Sequence, residues 1–205
     1  MLENIPHWLG SALSNLRAGH DKLLLARLDL GAVPTFELMS AAFAPGGRLP
    51  DRFTADGEGV SPPLHWRGLP DGTARLALIV EDPDAPAPLP LVHAIVADMD
   101  PALDQLAEGA IRADGDGSAG KDVGRNSYLS EGWLPPDPPT GHGAHDYVFQ
   151  LLALGADAPA IDSTPGRGDL VDHLRGHVLA AAVLVGTYSR GEEAPVGPVG
   201  AVLPA

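Results

Sequence analysis

A chain of 205 residues is long enough to bury a sizeable core and short enough to be one domain with an extension. Its formal charge of −14, with 13 scattered basic residues, argues against general nucleic-acid binding, because phosphate neutralisation needs grouped Lys and Arg. The absence of cysteine rules out a disulfide or a thiolate nucleophile or metal ligand, and no apolar run reaches the ~20 residues of a membrane span.

Residues 4–18 read as an amphipathic helix. Asn4 can cap it, Pro6 suits the first turn, and Ile5, Trp8, Leu9, Leu13 and Leu16 share one face. Gly19 can end it. Such a helix either packs on its own domain or serves as an arm for homodimerisation. Glu3 and the lack of a basic leader differ from a signal peptide, so the expected location is cytoplasmic. "DKLLLARLDLG" extends the helix or leads into the first strand.

From residue 36 the texture changes. "FELMSAAF", "RLALIVE", "LVHAIVADM", "YVFQLLALG" and "HVLAAAVLVGTYSR" read as strands, separated by turn-rich pieces. "PALDQLAEG" and "GRGDLVDHLRG" read as short helices. The 25 Gly and 21 Pro favour short strands joined by structured loops over a helical bundle. The expectation is therefore a helical extension over 1–35, a mainly antiparallel β domain over 36–190 with a few peripheral helices, and an irregular tail over 191–205.

Some apparent motifs fail. "GDGSAGK" (115–121) starts like a phosphate loop, but Asp122 stands where Ser or Thr would hold magnesium. As a calcium loop counted from Asp114, it has Ala119 at the turn position and Arg125 at the bidentate position. "HGAH" spaces His142 and His145 like some metal ligands, but in a glycine-rich loop; one packed and one exposed histidine is the ordinary expectation. No cofactor or metal site is expected.

One constellation survives. In "EDPDAP" (81–86), Pro83 and Pro86 stiffen a turn carrying Asp82 and Asp84. If the flanking runs are neighbouring strands, His93 lies near the base of that turn. In "PPTGHGAHDY" (138–147), His145 and Tyr147 are two apart and share a face of a strand. Gly141 and Gly143 would let the backbone approach a ligand closely.

These segments, with "DGEGVSPPLHWRGLPDGT", "GWLPPDPPTGHGAHDY" and "HVLAAAVLVGTYSR", resemble the phosphatidylethanolamine-binding protein family in its bacterial Raf-kinase-inhibitor-like branch. The resemblance covers about residues 36–190. It implies an antiparallel β-sandwich and a small surface pocket for phosphate-like or carboxylate anions, including a phosphoethanolamine headgroup. The pocket residues that carry over are Asp82, Asp84, Pro86, His93, Pro139, His145 and Tyr147. The acids would position the histidines, and the ligand would meet imidazole, phenol and backbone N–H groups. The sequence departs from the family at Asp146, where arginine is usual, and at Asp137, where a small residue is usual. Trp133 and Pro135 also depart from the usual tyrosine and glycine.

Three functions follow from the same residues. The first is an anion- or headgroup-binding module, with a regulatory, kinase-inhibitor-like role as one form of it. The second is a structural or interaction protein whose pocket has decayed, with Asp137 and Asp146 as its support in the sequence. The third is a hydrolase using Asp82, His93 and His145 in acid–base work.

Overall fold

The computed structural model describes residues 16–28, 30–113, 122–161 and 164–190. Eight strands follow in chain order: β1 (Glu37–Met39), β2 (Leu64–Arg67), β3 (Arg75–Asp82), β4 (Leu91–Met99), β5 (Gln105–Leu106), β6 (Asp122–Val123), β7 (His145–Leu154) and β8 (Val178–Tyr188). Among the described residues, two α-helices accompany them, α1 (Leu24–Leu28) and α2 (Arg167–Leu174). The strands form a five-stranded sheet in the order β6-β4-β3-β7-β8 and a three-stranded sheet in the order β1-β2-β5, with every strand pair antiparallel.

The central strands are apolar at nearly every position because both faces of the large sheet are covered. Alternate residues Leu76, Leu78, Val80, Phe149 and Leu151 face the small sheet, where they meet Leu38, Leu64, Trp66 and Leu106. The intervening Ala77, Ile79, Ile95 and Leu152 face Leu24 and Leu28 of α1 and Leu170 and Leu174 of α2. Burying each of these leucines contributes about 1.5–3 kcal/mol, which is how a five-residue helix too short to persist alone is held on the sheet.

Residues 16–19 have no regular structure and are followed by a 3-10 turn at His20–Lys22. They are the end of the helix expected over 4–18; the rest of that expectation, the "GDGSAGK" loop and the tail lie outside the described residues. The helix expected in "PALDQLAEG" is absent. Asp100 Oδ1 accepts the Ala102 N–H at 2.8 Å, making a turn, and β5 then pairs with Leu64 and His65. Pairing that buries Leu106 outweighs the weak helix preference of so short a run. The strand expected over 36–43 stops at Met39, where Ser40 Oγ caps the Ala42 N–H at 3.1 Å.

Candidate functional site

The antiparallel register brings three strand ends together. Asp82 at the end of β3 pairs with Leu91 at the start of β4, and Glu81 pairs with Val148 near the start of β7. The proline-rich turn 83–90 therefore closes over His93 and His145.

Asp82 is buried and accepts two hydrogen bonds: the Asp84 N–H reaches Oδ1 at 2.8 Å, and His145 Nδ1–H reaches Oδ2 at 2.8 Å. That second bond fixes the orientation of the His145 ring. His142 Nδ1 lies 2.7 Å from His145 Nε2, and the two rings meet edge-on. The expectation of one packed and one exposed histidine is overturned, since each is 1% exposed. Gly141 and Gly143 make this possible through positive φ angles of 81° and 99°, which turn His142 inward.

His93 reaches the site through a β-bulge. Val80 pairs with Ala94 and Glu81 with Val92, so His93 is the extra residue of β4. A bulge re-aims a side chain, and here Val92 goes to the helix face while His93 joins the sandwich side, 5.0 Å from the Tyr147 ring. His93 Nδ1 lies 2.6 Å from the Leu134 carbonyl, which can only accept, so that nitrogen carries the proton. Burial holds the ring below the ordinary imidazole range, against the opposing pull of Asp82. His93 Nε2 is thus a lone pair, and it is buried with no protein partner. The Tyr147 hydroxyl is likewise buried without a partner, and burial raises it well above the usual phenol range.

A hollow of about 180 Å³ opens beside these groups. Asp82, Pro86, His93, Pro139 and His145 line it, together with Tyr128, Leu134, Pro135 and Asp137. Asp84 and Tyr147 are not among the lining residues, and the Tyr147 ring touches that of His93. Asp137 does not fill the hollow as an isolated charge, because Arg190 pairs with it and with Asp56. Arg190 follows the end of β8 at Tyr188, and nothing in the sequence points to it, since it lies 53 residues from its partner. Asp56 also accepts a 2.7 Å bond from Tyr188, and Arg190 chiefly holds its carboxyl below the usual range.

The two remaining acids are met by the N-terminal segment. Arg17 Nη1 lies 2.5 Å from Asp84 Oδ1, and His20 Nε2 lies 3.6 Å from Asp146 Oδ2. Asp84 Oδ2 accepts the Asp146 N–H at 2.8 Å. The Asp146 carboxyl is raised above the usual range by burial and then by Asp84.

The family model for phosphatidylethanolamine-binding protein matches residues 39–189, from β1 through β8. The chain belongs to the phosphatidylethanolamine-binding protein family. A UPF0098 protein of Methanothermobacter thermautotrophicus is 39% identical over 156 residues, covering 75% of this chain and 99% of the relative. A putative phosphatidylethanolamine-binding protein homologue from Chlamydia trachomatis is similar in structure, with a TM-score of 0.68 and 32% identity over 76% of this chain and 98% of that one. E. coli YbcL, described as a new member of the mammalian family, gives a TM-score of 0.69 at 29% identity over 75% of this chain and 98% of that one. The family's sandwich is thus the part of the molecule that carries the hollow. The segment supplying Arg17 and His20 precedes the match. Among the described residues, no helix is long and apolar enough to cross a membrane.

Proposed function

We propose that the hollow binds a small acidic phosphate or carboxylate, with a phosphate monoester such as free phosphoethanolamine as the best fit. The observation that carries this reading is His93 Nε2, a buried lone pair at the wall of the hollow with no protein partner. Such a group costs about 1–3 kcal/mol when left unsatisfied, and a ligand donor removes that cost.

The proton inventory supports a ligand that brings a proton. Asp82 and Asp137 are acceptors, and His93 Nε2 in its neutral form is another. A fully deprotonated oxyanion would meet three acceptors. A monoanion that retains one P–OH can donate to His93 Nε2 and accept from the Tyr147 hydroxyl behind it. Protonating His93 instead gives the same count, with Nε2–H donating to a ligand oxygen. Either route brings one proton into the complex, so affinity falls as pH rises. No Lys or Arg lines the hollow among the described residues, and affinity is accordingly weak, on the order of millimolar.

Calorimetric titration of phosphoethanolamine, a monoester whose dianion carries no P–OH, at pH 6 and pH 8, repeated in buffers of different ionisation heat, tests this. The expected result is tighter binding at pH 6, with about one proton taken up from buffer wherever the ligand arrives unprotonated, and loss of binding in His93→Ala. The absence of heat and of any His93 ring shift at several millimolar phosphoethanolamine would refute it.

A further inference from the structure

Residues 16–28 precede the family match, and the M. thermautotrophicus relative is almost fully covered while a quarter of this chain is not. The segment is nevertheless tied to the sheet at both ends. At its rear, the Leu24 N–H donates to Glu81 Oε2 at 2.7 Å and the Leu25 N–H to Gln150 Oε1 at 3.0 Å. Arg167 from α2 donates to the Lys22 carbonyl, and Leu24 and Leu28 are buried in the core.

At its front, the segment lies along the acidic turn. The Ala18 N–H donates to the Ala85 carbonyl at 3.0 Å and the Gly19 N–H to the Pro83 carbonyl at 2.8 Å. Those two bonds bracket Asp84, and Arg17 meets its side chain from between Asp84 and the Ala144 carbonyl, the latter at 3.3 Å. Asp84 holds both neighbouring parts of the site: its N–H donates to Asp82, and its other oxygen accepts from Asp146, the residue after His145. Without Arg17, three carboxylates, Asp82, Asp84 and Asp146, would share this corner, with His20 3.6 Å from Asp146.

We infer that Arg17 is a positioning residue of the hollow: by pairing with Asp84 it sets the turn against which Asp82 aligns His145, so that residues 16–28 complete the site in cis. The chain of contacts is continuous, from Arg17 through Asp84 and Asp82 to His145 and His142. The positive charge also offsets the acids that an incoming anion must approach. The alignment of His145 is independent of what the hollow binds; the effect on affinity rests on the phosphate reading above.

The experiment compares Arg17→Ala, Arg17→Gln, Arg17→Lys and Lys22→Ala in the full chain, with Lys22 serving as a control because its side chain reaches only the Pro88 carbonyl. Ligand-free NMR of the His142 and His145 rings is read first. Arg17→Ala should shift both sets of ring signals, Arg17→Gln should do the same while keeping a polar but uncharged side chain, and Arg17→Lys should restore them. Lys22→Ala should leave them unchanged. Phosphate affinity should fall about fivefold in Arg17→Ala and recover in Arg17→Lys. Ring signals that stay at their wild-type positions in Arg17→Ala and Arg17→Gln, or that move equally in Lys22→Ala, would overturn the inference. Should wild type bind no phosphate, the binding proposal falls, and the ring signals still decide the role of Arg17.

Discussion

Glu81 and Asp82 are consecutive buried carboxylates, and the pleat of β3 sends them to opposite faces of the same sheet. Glu81 faces the helices. It accepts from Leu24 N–H and Gln150 Nε2 and pairs with Arg167 Nε at 2.5 Å, so its charge and its lone pairs are answered within the protein. Asp82 faces the hollow. Its partners are a backbone N–H and an imidazole, and the group beside it, His93 Nε2, is open. The lesson is that burial of a carboxylate does not mark a functional site. A network that closes on itself holds elements together, whereas one that borders an unpartnered buried atom is ready for a ligand.

The sharpest way to break this comparison is to remove each acid. Glu81→Ala leaves a partly buried Arg167 and two amide donors without their acceptor and should destabilise the fold by about 3–5 kcal/mol in urea unfolding. Phosphate affinity of the folded fraction should be unchanged; a loss of affinity larger than the loss of stability would dissolve the distinction. Asp82→Ala should cost less stability, about 1–3 kcal/mol, because it orphans one amide and one imidazole N–H. It should nevertheless weaken phosphate binding more than tenfold by freeing the His145 ring, seen by calorimetry.

pH sharpens the contrast on the His93 side. The folded protein holds His93 neutral below the ordinary range, while the unfolded chain takes up a proton near 6.5. The unfolded state therefore binds more protons in the window below that value. Stability contributed by the neutral ring is fully present above pH 6.5 and is lost as pH falls toward the depressed folded value. His93→Gln should flatten this part of the stability profile measured by chemical denaturation from pH 7.5 to pH 5. The smallest effect is a control outside both networks: His177 and Asp157 form an exposed pair at 3.1 Å, and Asp157→Asn should change stability by under ~0.5 kcal/mol at neutral pH.

Much of the sandwich can be read along the chain because its long strands are apolar at nearly every position and are bounded by Gly and Pro. Leu76–Val80 and Val148–Leu154 show this directly, and the short α2 is legible from its spacing. Local turn chemistry also announces Asp82, since Pro83 and Pro86 stiffen the loop that holds it. What stays hidden are pairings across long sequence separations. Arg190 with Asp137, Arg17 with Asp84 and Glu81 with Arg167 join residues that are 53, 67 and 86 positions apart. No periodicity links such partners. The spacing of His142 from His145 suits a metal ligand, whereas the signal for its buried position is the pair of glycines around it, which permits an inward turn but does not require one.

Side-chain chemistry and local patterning specify a mainly antiparallel β protein, a proline-stiffened acidic turn and a histidine at a strand start, because each depends on residues within a few positions of one another. The proton state of His93, the shielding of Asp137 and the seat of Arg17 depend on which surfaces meet after the chain has folded. Burial and partner geometry set those properties, and both arise from contacts between distant segments rather than from the order of residues along any one of them.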